Sequence, residues 1–108
     1  MNMSEYLNLS GELFRNIEDK LDEFEDDIDY DKADGKIQVI FENGSSPLVI
    51  NTQRAIHEVW LAGGARAWHF KWLDTEKKWF AEVEQEELYQ CLARLIEERI
   101  QKTIDFHA

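Results

Sequence analysis

Apolar residues Tyr6, Leu9, Leu13, Ile17, Leu21 and Phe24 recur at steps of three or four, the period of a helix that buries one stripe of its surface. The spacing predicts a helix from about Ser4 to Phe24, capped by Asn2 with Glu5 three residues on, or by Ser4 itself. Gly11 weakens its middle slightly. From Asp27 the period shortens to two. Ile28 and Tyr30 alternate with Asp27, Asp29 and Asp31, the pattern of a strand with acids on one face. Asp34-Gly35 then supplies a tight hairpin turn, beyond which Ile37, Val39 and Phe41 alternate. Asn43-Gly44 predicts a second turn, and Pro47 fits the entry to a third strand over Leu48 to Asn51, where a missing N–H does least harm. Further strands are expected over Glu58 to Ala62, Ala67 to Trp72 and, shorter, Lys78 to Ala81, with Gly63-Gly64 turning between the first two. Leu88, Leu92, Leu95, Ile96 and Ile100 restore the helical period. Glu84, Glu86 and Glu87 stand at its start and Arg94, Arg99 and Lys102 toward its end, the order that suits the helix dipole.

The expected fold class is α+β: a two-layer α/β sandwich whose antiparallel meander sheet of five to six strands is covered on one face by the N- and C-terminal helices. Strands joined by short turns give the meander, and a sheet needs one face covered, which leaves the other to solvent. With 108 residues, 44% of them apolar, a single domain over residues 1–108 is expected. No apolar run approaches the roughly 20 residues that span a bilayer, and the first residues lack the basic, apolar and small-residue layout of a signal peptide. A cytoplasmic location is therefore expected. Cys91 is the single cysteine, so no intramolecular disulfide or thiolate metal cluster can form, and its place in a helical apolar pattern predicts a packed thiol.

Charge changes this picture. Residues 1 to 34 hold 12 acids and 3 bases, net −9, whereas residues 35 to 108 hold 11 acids and 9 bases, net −2, which together make −11. Such a chain is a poor partner for nucleic acid, whose phosphates need clustered Lys and Arg, or for an anionic membrane surface. Crowded like charges repel one another and give a fold no stability. Glu18, Asp19, Asp22, Glu23 and Asp26 lie at helical spacings of three and four, so their carboxylates share one exposed face with Lys20 as the one base. Asp27, Asp29 and Asp31 extend that face if the first strand lies beside the helix. Oxygen-only ligands suit hard cations such as Mg, Ca, Mn and iron. Without His or Cys among them, weak and exchangeable binding is expected, and ligand type does not separate iron from calcium. A calcium-binding EF-hand loop is excluded, because Lys32 stands where it needs Gly and Gln38 where it needs Glu. A solvated ridge that only keeps the chain soluble is the alternative. No HExxH, GxSxG or phosphate-binding loop is present, and exposed, mutually similar carboxylates do not make a glycosidase pair, so no catalytic residue is assigned.

The segment "VINTQRAIHEVWLAGGARAWHF" is the second unusual feature. With Val59 and Leu61 facing the helices, Glu58 and Trp60 face the uncovered side of the sheet, as do His69 and Lys71 on the next strand, while Trp68, Phe70 and Trp72 point inward. An outward Trp60 surrounded by Asn51, Gln53 and His57 suits a partner-binding anchor; a tryptophan half-buried against its neighbours fits the same pattern. His57 and His69 read as surface polar residues and not as metal ligands.

The acidic helix with "DIDYD", then "ENGS", then "VINTQ" followed by "VWLA" and "HF", resembles bacterial frataxin, the CyaY family, over essentially the whole chain. The motifs are individually weak, and their order, spacing and length together are specific. Two positions depart from the family pattern: Ala55 stands where Pro is usual, and Glu58 where Gln is common two residues before the tryptophan. The resemblance implies a non-enzymatic iron-binding accessory protein of iron-sulfur cluster assembly. Ferrous and ferric iron would bind weakly along Glu18, Asp19, Asp22, Glu23, Asp26, Asp27, Asp29 and Asp31. The implied partners are cysteine desulfurase, whose sulfur supply it would tune, and the scaffold protein to which it would give iron. The desulfurase would be met by the ridge and by the outer sheet surface of Asn51, Gln53, His57, Glu58, Trp60 and His69. A monomer is implied, with oligomers possible under iron load. A metal-independent acidic module, an inhibitor or nucleic-acid mimic for a basic protein, is the alternative.

Overall fold

The computed structural model describes residues 1–107. Helix α1, Met3–Leu21, begins at a complete capping box: the Asn2 side chain accepts from Glu5 N at 2.8 Å, and the Glu5 carboxylate accepts from Asn2 N. It ends one turn earlier than the apolar period predicts, and the chain tightens into a 3-10 turn over Asp22–Phe24. Tyr6, Leu13, Ile17 and Leu21 form its buried stripe.

Seven strands follow: β1 Ile28–Ala33, β2 Lys36–Phe41, β3 Leu48–Gln53, β4 Glu58–Gly63, β5 Arg66–Leu73, β6 Lys78–Ala81 and β7 Glu86–Glu87. Each pairs antiparallel with its neighbour in sequence, in the order β1-β2-β3-β4-β5-β6-β7. The expected meander is observed, with one strand more than expected. The addition, β7, has two residues, Glu86 and Glu87, too few to show a period. Asp34-Gly35 makes the β1–β2 turn, with Ala33 paired to Lys36 and Gly35 at φ 72°, a left-handed conformation that glycine adopts without strain.

Helix α2, Leu88–Ile100, is capped by the Glu87 carboxylate, which accepts from Tyr89 N and Gln90 N. Both helices lie on one face of the sheet. Leu88, Cys91, Leu92, Leu95, Ile96 and Ile100 meet the stripe of α1 and the inward residues Ile37, Val39, Ile50, Val59, Leu61, Trp68 and Phe70 in one core. Each such side chain contributes about 1.5–3 kcal/mol on full burial. The Tyr6 hydroxyl joins the layers by donating to Glu58 O at 2.6 Å. Cys91 is buried as expected, and burial pushes its thiol up to about 12. No helix among the described residues is long and apolar enough to cross a membrane.

Candidate functional site: a carboxylate edge and an open sheet face

The eight candidate metal-binding carboxylates fall on the last turn of α1, the 3-10 turn, the turn over residues 25–27 that holds Asp26 and Asp27, and β1, which places them along one edge of the molecule. The strand alternation holds: Ile28 is buried, whereas Asp29 and Asp31 are exposed. Asp19, Asp22, Glu23 and Asp26 are exposed as well, and Glu18 and Asp27 are half-buried.

Several of these groups already have partners. Glu18 pairs with Lys32 at 2.9 Å, Glu23 with Lys20 at 3.1 Å and Asp27 with Lys102 at 2.6 Å. Asp22 accepts from the Tyr30 hydroxyl at 2.7 Å, and this bond, with burial and the negative charge of Asp22, Glu18 and Asp19, pushes the Tyr30 phenol up to about 12. The carboxylates of Glu18 and Asp27 likewise raise Lys32 and Lys102 above the ordinary lysine value. No group of three or more Asp, Glu, His or Cys is arranged to hold a metal ion among the described residues. The edge is a line of separate carboxylates, several of them already held by a lysine or a phenol. Tyr30, Lys32 and Lys102 were not legible as members of this edge. Lys102 reaches Asp27 across 75 residues of sequence, and no periodicity carries that information.

Asp29 and Asp31 alternate with Ile28 and so face the uncovered side of the sheet, away from the helix acids, and on that same face the register brings the other candidates together. Asn51 pairs with Trp60 and Trp60 with His69, while Gln53 pairs with Glu58 and Glu58 with Lys71. These two rows share the sheet face that the helices leave uncovered. The Trp60 indole stacks on the His69 ring at 4.0 Å and 12° and donates its N–H to Glu58 Oε1 at 2.8 Å. Trp60 is thus half-buried, with its polar group already used. Glu58, expected to point outward, does so and is nonetheless 8% exposed, because alternation assigns a face and says nothing of what covers it. His57 departs from the expected surround of Trp60. It precedes β4 in a left-handed conformation, φ 54°, and its ring stacks on Tyr6 of α1 at 5.1 Å.

A meander closed on one face by two helices, with a carboxylate edge where the first helix meets the first strand, defines a frataxin-like protein. The sequence model of the frataxin-like domain matches residues 1–102, and the chain belongs to the frataxin family. It is 33% identical over 106 residues to the iron-sulfur cluster assembly protein CyaY of Psychromonas ingrahamii, covering 98% of each chain. It superposes on the solved frataxin of Psychromonas ingrahamii with a TM-score of 0.88 at 33% identity, again over 98% of each. The trimeric frataxin of the yeast Saccharomyces cerevisiae shares the fold, with a TM-score of 0.72 at 23% identity over 87% of this chain and 80% of that one.

Proposed function

We propose that the protein is an iron-binding accessory factor of iron-sulfur cluster assembly. It takes Fe2+ or Fe3+ weakly along Glu18, Asp19, Asp22, Glu23, Asp26, Asp27, Asp29 and Asp31, regulates a cysteine desulfurase and supplies iron to the scaffold protein. It acts by binding and not by catalysis. The family membership and the name of the Psychromonas relative support the pathway. The observation that carries the iron and partner reading is the position of the acids. Glu18 and Asp19 occupy the last turn of α1 and Asp22 and Glu23 follow it, next to the negative end of the helix dipole, where carboxylates cost stability. A ligand that is itself positive removes that cost, whether a hard cation or a basic protein surface.

Separate carboxylates, several with a lysine or phenol as partner, favour exchangeable binding. Iron therefore competes with Lys32, Lys102 and Tyr30 for the same oxygens. A basic patch of the desulfurase would use the same edge, with Asn51, Gln53, Trp60 and His69 of the open face alongside. The test is titration of the 15N-labelled protein with Fe2+ and Fe3+ under anaerobic and aerobic conditions. Line broadening confined to residues 18 to 31 is expected; broadening spread evenly over the surface would remove the iron site and leave a metal-independent acidic module.

A further inference from the structure

Glu58 is the one carboxylate among the described residues that is more than nine-tenths buried, at 8% exposure. Its Oε1 accepts the Trp60 indole N–H, and no Lys, Arg or His lies within ion-pair distance of it among the described residues. Lys71 is its direct cross-strand neighbour and still forms no ion pair with it. A buried charge left without a counter-ion is costly. This one has an outlet: Glu58 lines a pocket of about 350 Å3 on the open sheet face, with Ala67, His69, Lys71 and the turn Glu82, Val83, Glu84.

The lining decides what the pocket can take. Three carboxylates, Glu58, Glu82 and Glu84, face one lysine, so the occupant is a cation. A bare metal ion does not fit, since no three of these acidic and imidazole groups converge to hold one. The volume is at the lower end of the roughly 300–1,000 Å3 of small-molecule pockets, which suits a single long side chain. The His69 ring, braced from behind by Trp60, offers a flat surface beside the carboxylate. A planar guanidinium uses both features, pairing with a carboxylate while stacking on a ring, whereas an ammonium uses only the charge. Val83, 92% exposed at the rim, gives the aliphatic stem of such a side chain an apolar contact.

We propose that the pocket between β4, β5 and the β6–β7 turn is the receptor for one arginine side chain of the protein partner, with Glu58 as its carboxylate and His69 as its stacking platform. This rests on the reading of the open face as a partner surface. It makes Trp60 a brace for the receptor and not the inserted anchor.

Two measurements on the whole chain test it. In the first, N-acetyl-arginine amide is titrated against the 15N-labelled protein. The Trp60 indole N–H and the amides of Ala67 and His69 should shift, N-acetyl-lysine amide should shift them less, and Glu58→Gln should abolish the effect. In the second, desulfurase affinity should fall at least tenfold in Glu58→Gln, which keeps the size of the side chain and an oxygen for Trp60. Should that variant misfold, Glu82→Gln with Glu84→Gln on the turn should weaken both ligands. Arginine-amide shifts that are absent, or equal in wild type and variants, overturn the proposal. A wild-type protein that binds arginine amide but no desulfurase would leave the pocket standing and overturn the partner named above.

Discussion

All three tyrosines ionise above the ordinary value of 10, for different reasons. Burial raises Tyr6 and Tyr89, whereas Tyr30 is pushed up to about 12 chiefly by its bond to Asp22. A phenol with a raised folded-state pKa favours the fold while it is protonated. Its contribution is complete below about 10, the unfolded value, and is lost as pH rises through the folded value. Phenolate absorbance of the native protein at pH 10 should therefore be weaker than that of the unfolded chain and develop further above it, with denaturant stability falling over the same interval. Ionisation of a full tyrosine near 10 would contradict this. Gly63 is constrained by packing and not by backbone angle. A Cβ there would lie 2.5 Å from Leu48 Cδ2 and 3.6 Å from Arg99 Nη2. Gly63→Ala forces the buried Leu48 side chain to shift and should cost roughly 1–3 kcal/mol, read as a lower urea midpoint; an unchanged midpoint would show that Leu48 yields freely.

The last turn of α1 allows the cost of the acidic edge to be tested at a single residue. Asp19 sits at the C-terminal end of the helix dipole, three and four residues from Asp22 and Glu23. Asp19→Asn should stabilise the protein by about 0.3–1 kcal/mol and weaken iron binding. A destabilised Asn variant would mean the acid serves the fold. At this scale most of the architecture was legible. Period-four stripes and period-two alternation placed both helices and six strands, since one face of each element is buried. The same alternation put Asn51, Gln53, Trp60 and His69 on one face, and the pairing of strands then aligned Asn51, Trp60 and His69. Burial of Glu58, the stacking of His57 on Tyr6 and the Lys102–Asp27 pair were not legible, because each depends on which distant residue arrives beside it.

With a net charge of −11 concentrated at one edge, the whole molecule should respond to salt in two opposite directions. Screening acts over about 8 Å at physiological ionic strength, so added NaCl relieves repulsion within the edge and should raise the thermal midpoint. The same screening should slow association with a basic partner and weaken it. Stability and partner affinity that move together with salt would contradict a ridge held at a cost to the fold. The connectivity of the sheet has a further consequence, for synthesis. Every strand pairs with its neighbour in sequence, so the sheet can zip up locally as it emerges from the ribosome. Helix α1 emerges first and needs that sheet to cover Tyr6, Leu13, Ile17 and Leu21. It must wait for partners as far away as Glu58, which is 52 residues beyond Tyr6. Ribosome-stalled chains ending before β4 should carry α1 undocked, and during that interval the crowded carboxylates act as a solubility tag that the nascent chain brings with it.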